Sequence, residues 1–446
     1  MISVAGIRGI VGESLTAPVV SGYAAAFAET MGPGPIVVGR DARCSGPWMY
    51  HAVAAGLLGM GREVVNLGLA TTPTTQLAVE TMHAAGGIII TASHNPSPWN
   101  ALKLLSPEGE FLGPEAGQRV QERYRSDAPA WRDAAELGHE REESGALERH
   151  LERVLGLSGI DLAAIRARRL SIVVDGCASV GGVAVPALIE RLGGTTIPLD
   201  CEPNGRFTRE LEPLPEHLGA LGERVRASGA DFGVAVDPDA DRAAFVDERG
   251  NPLGEEYTVA LGTLAVLAKT PGPVVTNLST SRMLDAVCER FGVPLHRSPV
   301  GEAHVVAEMK RRKAVVGGEG NGGMILPAAH YGRDSLVAVI LVAQLLAERG
   351  GTLRALADEL PRYSMLKEKL EKPDTPWERS AARLQETFTD YAVETADGLR
   401  FSHGDEWVHV RASGTEPVVR VIAESPAEPR TRNLIERARQ ALRAAA

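Results

Sequence analysis

The chain has few cysteines, no long apolar run and no excess of positive charge. Its four cysteines lie far apart and form no C-x-x-C pair; they are Cys44, Cys177, Cys201 and Cys288. Cysteines spaced in this way predict buried thiols in a reducing compartment rather than a disulfide or zinc framework. Apolar residues nevertheless make up 44% of the 446 residues, which is enough for several hydrophobic cores.

The features that the sequence lacks also indicate where the protein is located and which partners it can bind. No segment approaches the roughly 18 uninterrupted apolar residues of a membrane-spanning helix, so we expect no membrane partner. The N-terminal segment MISVAGIRGIVGE has an early arginine and no long apolar core, so we expect no signal peptide and a cytoplasmic location. The formal net charge of -10 argues against a dedicated nucleic-acid binder, which needs a dense lysine and arginine surface. An acidic enzyme can still bind anions in a locally basic cleft.

The main positive feature is a strand–helix–strand unit that recurs three times. Short runs rich in β-branched residues open the units, at 36–38, 172–174 and 274–275. The predicted second strands follow a helix-length segment, at 62–68, 194–200 and 293–299. The predicted third strands come next, at 86–91, 231–236 and 313–318. Strands that alternate with helices in this way predict βαβ units and a largely parallel sheet.

A polar segment follows each predicted third strand. These segments are TASHNP at 91–96, DPDADR at 237–242 and GEGNGG at 318–323. Ligands of open α/β sheets bind beyond the carboxyl ends of the strands. We therefore expect the three segments to face one another across one central cleft.

The remaining chain is predicted to hold a linker or helical stretch at about 114–170 and a small C-terminal α+β domain. Prolines and charges cluster at 359–376, which indicates a domain boundary. Three strands and a final helix are predicted beyond it, at 399–404, 406–413, 418–424 and 431–446. We predict four domains in total: 1–145, 146–252, 253–362 and 363–446.

The segment DPDADR places three carboxylates directly after an apolar strand, on Asp237, Asp239 and Asp241. Three carboxylates on one turn suit a hard divalent cation bound through oxygen. An EF-hand loop begins in a similar way and Glu248 stands at its twelfth position, but Arg242 occupies the sixth, where that loop needs glycine. Arg242 is expected to balance charge or reach a substrate phosphate. An acidic surface turn is the structural alternative.

The segment TASHNP places Ser93 at the end of an apolar strand, rigidly held and open to a ligand. It lacks the flanking glycines of a hydrolase nucleophile elbow. His94 is expected to point away from Ser93, so no catalytic triad is implied. A serine facing a metal site can carry a phosphoryl group, whereas a serine alone is more often a helix N-cap, and Asn95-Pro96 looks like a helix start. The two interpretations are compatible, because a helix N-terminus also favours an anion.

Two glycine-containing segments complete the candidate site, and a plain turn is the alternative for each. In GEGNGG, Glu319 is an acceptor without a basic neighbour in the loop, which suits sugar hydroxyls better than phosphates. In RASGTEPVVR, backbone N–H groups, hydroxyls and guanidinium groups form a candidate phosphate cradle that can close over a substrate as a lid. The residues of this cradle are Arg411, Ser413, Gly414, Thr415 and Arg420.

Taken together and in this order, the motifs resemble the α-D-phosphohexomutase superfamily. The resemblance extends to GIRGIVGESLT, to GRDARCSG and to NGRF with EPLPEHL, so it covers essentially the whole chain. It implies three related α/β domains with mixed, mostly parallel sheets, a C-terminal α+β domain of the TATA-box-binding-protein-like fold, and an active site in the central cleft. It also implies a Mg²⁺-dependent phosphoserine enzyme that interconverts hexose 6-phosphate and hexose 1-phosphate through a sugar 1,6-bisphosphate.

Carried over to this sequence, the resemblance makes Ser93 the phosphoserine. It implies that Ser93, Asp237, Asp239 and Asp241 are the metal ligands. It also implies that Arg8 and Lys103 line the phosphoryl-transfer site, with Lys103 a candidate proton shuttle. Without the family, Arg8 and Lys103 are ordinary solvated side chains. The candidate catalytic residues are Ser93, Arg8, Lys103, His94 and Arg242. The candidate substrate-binding residues are Glu319 for the sugar hydroxyls, Asn321 beside it, and Arg411, Ser413, Gly414, Thr415 and Arg420 for the phosphate that is not transferred.

Two departures from the family pattern bear on the chemistry. Asn321 and Gly323 stand where many members have serine and histidine, and His330 is a candidate substitute for that histidine in proton transfer. Ala101 replaces a usual glycine after the serine motif. The sugar segment, followed by HYGRD, is similar to phosphoglucosamine mutases of the archaeal type. Glucosamine phosphate therefore ranks ahead of glucose or mannose phosphate as the expected substrate.

A sugar phosphatase and a non-catalytic sugar-phosphate binder are the rival classes. A phosphatase has no need of a separate phosphate cradle to hold an intermediate for a second transfer. A simple binder does not require three aspartates facing a serine. The sequence is compatible with a monomer or a homodimer that binds a hexose phosphate.

Overall fold

The computed structural model describes residues 2–3, 6–126, 129–372, 375–412 and 418–445. They form three α/β units followed by a unit built on an antiparallel sheet. Among these residues, no helix combines the length and the apolar character needed to cross a membrane.

The first unit is built on a seven-stranded sheet. Its strands are β1 Ile2–Ser3, β2 Gly6–Ile10, β3 Ile36–Arg40, β4 Val64–Leu69, β5 Gly86–Ile90, β6 Trp99–Leu105 and β7 Glu140–Glu142. Its helices are α1 Ala17–Thr30, α2 Gly46–Gly59, α3 Thr72–Thr81 and α4 Pro114–Arg125. The sheet order is β1-β2-β6-β5-β3-β4-β7, with β3 parallel to β4 and β5, and β6 antiparallel to β5. Isoleucine and valine fill β3 and β5 because both faces of these strands are buried.

The second unit repeats this arrangement on a four-stranded sheet. Its elements are α5 Ala146–Leu155, α6 Leu162–Arg168, β8 Ser171–Asp175, α7 Gly181–Arg191, β9 Thr195–Leu199, α8 Gly219–Ser228, β10 Phe232–Val236 and β11 Ala243–Val246. The order is β11-β10-β8-β9, with β8 parallel to β9 and β10, and β11 antiparallel to β10.

The third unit has the same strand order again. Its elements are α9 Glu256–Leu267, β12 Val274–Asn277, α10 Met283–Phe291, β13 Leu295–Ser298, α11 Glu302–Arg312, β14 Val316–Glu319, β15 Gly323–Ile325, α12 Ser335–Arg349 and α13 Leu353–Asp358. The order is β13-β12-β14-β15, with only β15 antiparallel to its neighbour. Helix α12 is buried along most of its length, in a core shared with the second unit.

The three predicted βαβ units are therefore confirmed, and each carries a fourth strand that the pattern did not predict, to which the first unit adds β1, β2 and β7. In every unit the third strand turns directly into an antiparallel fourth strand: β6, β11 or β15. The polar segments singled out in the sequence form these turns. Because the turns occupy equivalent places in three similar sheets, the fold brings them to one cleft.

The last unit packs two helices against a five-stranded antiparallel sheet. Its elements are β16 Ser364–Glu371, α14 Trp377–Thr387, β17 Ala392–Glu394, β18 Leu399–His403, β19 Glu406–Ala412, β20 Val418–Ser425 and α15 Glu428–Ala445. The expected α+β character is confirmed, but β16 was missed. It lies within the charged segment taken as a boundary, because at this sheet edge charged residues alternate with half-buried apolar ones.

The cysteines are all free thiols, as expected, but they are not all buried. Cys177 and Cys288 are buried, Cys201 is half-buried and Cys44 is exposed. Cys44 lies next to the first turn of α2, at the surface of the first unit.

Candidate active site

Three turns face one cavity of about 410 Å³. We call them the serine loop (91–98, between β5 and β6), the aspartate loop (237–242, between β10 and β11) and the glutamate loop (319–323, between β14 and β15). The predicted site residues that line the cavity are Arg8, Ser93, His94, Lys103, Arg242, Glu319, Asn321 and Arg420. The expected convergence of the three polar segments on one cleft is therefore observed.

The serine loop is held by a buried arginine of its own unit. The Arg43 guanidinium donates to the backbone carbonyls of Ser93 at 2.5 Å and of Asn95 at 2.6 Å, and to those of Pro96 and Trp99 at 3.1 Å. The Ser93 N–H donates to Thr91 Oγ1 at 2.9 Å. The loop therefore keeps a fixed course over the cavity.

The expectation that Ser93 caps a helix is wrong. Ser93 has a φ of 48°, and no helix begins at Asn95-Pro96, since β6 follows after a short turn. A non-glycine residue in the left-handed region is strained and persists where its surroundings hold it. The carbonyl contacts from Arg43 supply that hold, and the turn directs the Ser93 hydroxyl toward the aspartate loop.

His94 also differs from its prediction. Its Nδ1 atom lies 3.4 Å from Ser93 Oγ, so the side chain turns toward the serine rather than away from it. Positive φ at Ser93 changes the direction of the chain and places consecutive side chains on the same side. Burial lowers the pKa of His94 to about 3, and the Arg242 and Arg8 guanidinium groups act in the same direction. The imidazole is therefore neutral near pH 7.

The aspartate loop brings its three carboxylates together, as predicted. Asp237, Asp239 and Asp241 are fully buried, and one ligand atom from each lies within 4.8 Å of the others. Ser93 Oγ donates to Asp237 Oδ2 at 2.7 Å, so the serine and aspartate loops are in direct contact. Thr72, at the start of α3, donates through its hydroxyl to Asp239 Oδ2 at 2.6 Å.

Lys103 and Arg8 reach the same place from neighbouring strands. Lys103 Nζ on β6 lies 2.6 Å from Asp239 Oδ2 and 3.8 Å from Asp241 Oδ2. Although burial opposes it, this ammonium group holds the pKa of Asp239 well below its usual range. Arg8 on β2 donates to Asn95 Oδ1 at 2.7 Å, beside the serine loop. Both side chains face the cavity.

The donor set of the aspartate loop fits a hard divalent cation. Asp239 and Asp241 each have one oxygen paired with a cation, Lys103 or Arg333. Their other oxygens, both Oδ1, are buried and accept no hydrogen bond from any described residue. Oxygen ligands of this kind are those that Mg²⁺ prefers. Burial, together with repulsion from Asp241 and Asp239, raises the pKa of Asp237 well above its usual range, and a bound cation would relieve the repulsion.

Arg242 takes part in this loop through both backbone and side chain. Its backbone N–H donates to Asp237 Oδ1 at 3.2 Å. Its guanidinium donates to Glu212 Oε1 at 2.9 Å and lies 3.7 Å from Asp241 Oδ1. The predicted charge balance is therefore present, and the guanidinium faces the cavity where a phosphate can reach it.

Glu319 is not the unpaired acceptor that its loop suggested. Its Oε1 accepts from Asn277 Nδ2 at 2.8 Å and from the Gly301 N–H at 2.9 Å. Its Oε2 accepts from Arg333 at 2.8 Å. Although burial opposes them, these donors hold the pKa of Glu319 below its usual range. Asn321 is half-buried on the same turn, and its Oδ1 accepts from the Gly323 N–H at 3.2 Å.

His330 does not stand in for the histidine missing at Gly323. Its Nε2 lies 3.1 Å from Asp334 Oδ2, which His150 Nε2 also approaches at 2.8 Å. This buried cluster lies where α5 meets the start of α12, and His330 does not line the cavity. The expectation failed because proximity along the chain does not decide which way a side chain faces.

The predicted phosphate cradle is described only in part. Ser413, Gly414 and Thr415 lie outside the described residues. Arg411 and Arg420 are directly opposite each other on β19 and β20. Arg420 lines the cavity, whereas Arg411 lies 3.5 Å from Asp397 Oδ2.

Sequence reasoning missed several residues that hold the three loops: Arg43, Thr72, Asn277 and Arg333. Two signals were available in the sequence. Arg43 lies in GRDARCSG, which follows the first strand of its unit, and Thr72 lies in TTPTTQ, a polar run that forms a buried helix start. Arg333 lies in HYGRD, which follows the glutamate loop, but nothing in that segment indicates which carboxylates it contacts, and no local pattern connects Asn277 with the loop.

The chain matches four described domain families in the order found here. Their descriptions are phosphoglucomutase/phosphomannomutase alpha/beta/alpha domains I, II and III and the C-terminal domain, at residues 2–130, 148–250, 254–363 and 365–441. A phosphoglucomutase/phosphomannomutase from Thermococcus kodakarensis is 36% identical, over 97% of this chain and 96% of the relative. A probable phosphoglucosamine mutase from Methanopyrus kandleri is also 36% identical, over 96% and 94%.

Solved structures agree with these matches. A phosphoglucomutase/phosphomannomutase family protein from Burkholderia thailandensis aligns with a TM-score of 0.84 at 26% identity, over 100% of this chain and 98% of that chain. The fold is also shared with an Aspergillus fumigatus N-acetylphosphoglucosamine mutase in complex with GlcNAc-6P and magnesium, at a TM-score of 0.62 and 17% identity, over 99% and 95%. Four units in this order define the phosphohexomutases. The chain belongs to the phosphoglucomutase/phosphomannomutase family of α-D-phosphohexomutases.

Proposed function

We propose that this phosphohexomutase is Mg²⁺-dependent and converts glucosamine 6-phosphate to glucosamine 1-phosphate through a phosphoserine at Ser93. The observation that carries the proposal is the 2.7 Å contact between Ser93 Oγ and the aspartate cluster, at the wall of a cavity lined on its far side by Glu319. A serine in this place can hold a phosphoryl group between a cation site and a sugar site.

The reaction comprises two phosphoryl transfers, the first from Ser93 to the sugar and the second from the sugar back to Ser93. In the first, the Oγ–P bond of phosphorylated Ser93 breaks while a free sugar hydroxyl oxygen forms a new O–P bond. The hydroxyl proton passes to the serine oxygen, with Lys103 as the candidate shuttle. The resulting sugar 1,6-bisphosphate turns in the cavity. Ser93 Oγ then forms a new O–P bond with the phosphoryl group at the other end while the sugar O–P bond breaks, and the serine proton passes to the freed sugar oxygen. Arg420, which lines the cavity, is the candidate for binding the phosphate that is not reacting.

The residues that would hold Mg²⁺ are Asp237, Asp239, Asp241 and the phosphoryl group on Ser93. When bound, the ion supplies positive charge that stabilises the transferring phosphoryl oxygens. The Aspergillus fumigatus enzyme was solved with magnesium and a sugar phosphate, and a further structure of that enzyme contains glucose 1,6-bisphosphate. The first complex supports the proposed cofactor, and the second supports the proposed intermediate.

The carboxylates near Glu319, on the side of the cavity where the sugar is proposed to bind, favour an amino sugar as the substrate. Glu302 and Glu319 both line this side, with Arg333 as the cation between them. A carboxylate in this part of the cavity suits an ammonium group on the substrate. The Methanopyrus kandleri relative carries the same proposed activity in its name. The Thermococcus kodakarensis relative favours the second candidate, a phosphoglucomutase/phosphomannomutase.

The test measures kcat/KM of the purified protein for the 6-phosphates of glucosamine, glucose, mannose and N-acetylglucosamine. The products are identified by ³¹P NMR. We expect the highest kcat/KM with glucosamine 6-phosphate and a signal from the 1-phosphate. A higher kcat/KM with glucose or mannose phosphate would support the second candidate. Release of inorganic phosphate without 1-phosphate would identify a phosphatase and overturn the proposal.

Metal dependence is tested separately with Asp239→Asn. Loss of one carboxylate charge should weaken Mg²⁺ binding about 10- to 100-fold and lower activity with it. The matched control is Asp247→Asn, a buried aspartate of the same unit that accepts the backbone N–H groups of Arg249 and Asn251 away from the cavity. Calorimetric titration of Mg²⁺ measures the affinity directly. Equal affinities in the two variants would contradict the assignment of the metal site.

A further inference from the structure

Arg333 is the cation that connects the aspartate loop with the glutamate loop. It follows β15, where its backbone pairs with Ile325, and it precedes α12. Its Nη2 atom lies 2.6 Å from Asp241 Oδ2 and its Nη1 atom 2.8 Å from Glu319 Oε2. The third nitrogen, Nε, lies 2.9 Å from Glu302 Oε2. One buried guanidinium thus contacts three carboxylates that belong to two units.

The planar fork of arginine is required for this arrangement. A guanidinium presents its N–H groups in fixed directions within a plane, whereas a lysine ammonium is a compact charge without that geometry. The two terminal nitrogens of Arg333 donate to different carboxylates, Glu319 and Asp241, so the position of the guanidinium fixes the distance between those two groups. Arg333 is only 8% exposed, and its pairs are little screened by solvent.

Gly323 provides the space in which Arg333 lies. A Cβ atom built on Gly323 would be 2.2 Å from Arg333 Cδ and 2.9 Å from Cγ, far inside van der Waals contact. The φ of Gly323 is an ordinary one, so its lack of a side chain is needed for space and not for conformation. Any side chain at position 323 would therefore displace the arginine.

We propose that Arg333 is a positioning residue that holds Asp241 of the aspartate loop and Glu319 of the glutamate loop in one geometry, in space left open by Gly323. The inference rests on the proposed function, because it assigns Asp241 to the cation site and Glu319 to the sugar. Both transfers use these two groups, and their spacing must be the same before and after the bisphosphate turns. A guanidinium bound to both carboxylates keeps that spacing.

The experiment is a double-mutant cycle of Arg333→Met and Gly323→Ala, with Arg333→Lys as the conservative variant. Arg333→Met keeps the apolar stem and removes the fork. We expect kcat/KM for the sugar phosphate and Mg²⁺ affinity each to fall about 10- to 100-fold. Arg333→Lys should recover part of the Mg²⁺ affinity, since its charge still reaches Asp241, but less of kcat/KM. The control is Arg400→Met, a buried arginine paired with Glu394 away from the cavity.

Gly323→Ala keeps every charged group and takes the space of Arg333, while its Cβ would also lie 3.1 Å from Asn321 Oδ1. It should therefore reproduce the Arg333→Met losses, and the double variant should be no worse than the more impaired single variant. If Arg333→Met does not fold, the kinetics and Mg²⁺ affinity of Gly323→Ala still test the proposal. Wild-type kinetics in Gly323→Ala, or losses that add in the double variant, would overturn the proposal.

Failure of the proposed function gives a different result. If wild type turns over no hexose phosphate, the proposed reaction is wrong, while Mg²⁺ titration by calorimetry still reports whether Arg333 and Gly323 act together on Asp241. If wild type is active and Arg333→Met matches Arg400→Met in kinetics and Mg²⁺ affinity, only the role of Arg333 is wrong.

Discussion

The serine loop and the glutamate loop occupy equivalent places in the first and third units but are held in different ways. Arg43 holds the serine loop through four backbone carbonyls within its own unit. In the glutamate loop the Glu319 carboxylate pairs with Arg333 and also accepts from Asn277 and the Gly301 N–H, while Lys367 on β16 of the last unit donates to the Gly320 carbonyl. Lys367 Nζ lies 2.6 Å from Glu255 Oε1, 3.2 Å from Glu256 Oε1 and 3.3 Å from the Gly320 carbonyl.

This difference shows that a repeated fold fixes the place of a loop and not the way it is held. Contacts to backbone carbonyls fix the course of the chain, which suits a residue that must attack from one position. The glutamate loop is connected to other units through Arg333, which also pairs with Asp241, and through the contact of Lys367 with the Gly320 carbonyl. We therefore expect changes at the serine loop to act on kcat and changes at the glutamate loop to act mainly on KM.

The largest expected effect is that of Ser93→Ala. Removing the oxygen that carries the phosphoryl group should lower kcat by several orders of magnitude, because covalent catalysis is lost. Binding of the sugar phosphate, measured by calorimetry, should change little. Ser97→Ala, an exposed serine of the same loop, is the control. Peptide mapping should find phosphate on Ser93, and a fully active Ser93→Ala would disprove its role.

A smaller effect is expected from Arg43→Met, which frees the serine loop without touching its hydroxyl. Misplacing the nucleophile by about 1 Å can cost on the order of 100-fold, so kcat should fall by up to that factor with KM little changed. Arg62→Met is a matched control, since Arg62 donates to the carbonyls of Gly32, Ala28 and Met31 far from the cavity. Steady-state kinetics of Arg43→Met and Arg62→Met, compared at equal folded fraction, separates a misplaced serine loop from a general loss of stability. A similar fall in kcat for both variants would indicate general destabilisation instead.

The smallest effect is expected from Lys367→Met, at the contact between the last unit and the glutamate loop. Its side chain is 36% exposed, so solvent screening limits the loss to about 1 kcal/mol, or roughly a 5-fold rise in KM. Lys269→Met removes an ion pair with Glu348 within the third unit and serves as the control. A fall in kcat at unchanged KM would contradict the distinction between the two loops.

Much of the fold was predictable because each unit repeats the same order of short apolar strands and helices. The motifs also carried the groups that meet in the cleft: Ser93, the three aspartates and Glu319. The antiparallel fourth strands and β16 were not predicted. These strands are short or mix apolar with polar residues, so no local hydrophobic period marks them. They form by pairing with a neighbouring strand.

The orientation of individual side chains was predicted less well. His94 turned toward Ser93 because of a positive φ that the local sequence did not indicate. His330 joined Asp334 and His150 instead of the cleft. In both cases the backbone direction, set by contacts elsewhere in the molecule, decided where the side chain faces.

The amino-acid sequence by itself determined which chemical groups the protein brings to its cleft and in what order, since the repeated units deliver one polar turn each. Only the tertiary structure decided which cation meets which carboxylate. Arg333 pairs with Asp241, which is 92 positions earlier, and Lys103 with Asp239, which is 136 positions later. Such pairs depend on how separate units pack. Coulomb attraction acts over a few ångströms in space, whatever the distance along the chain.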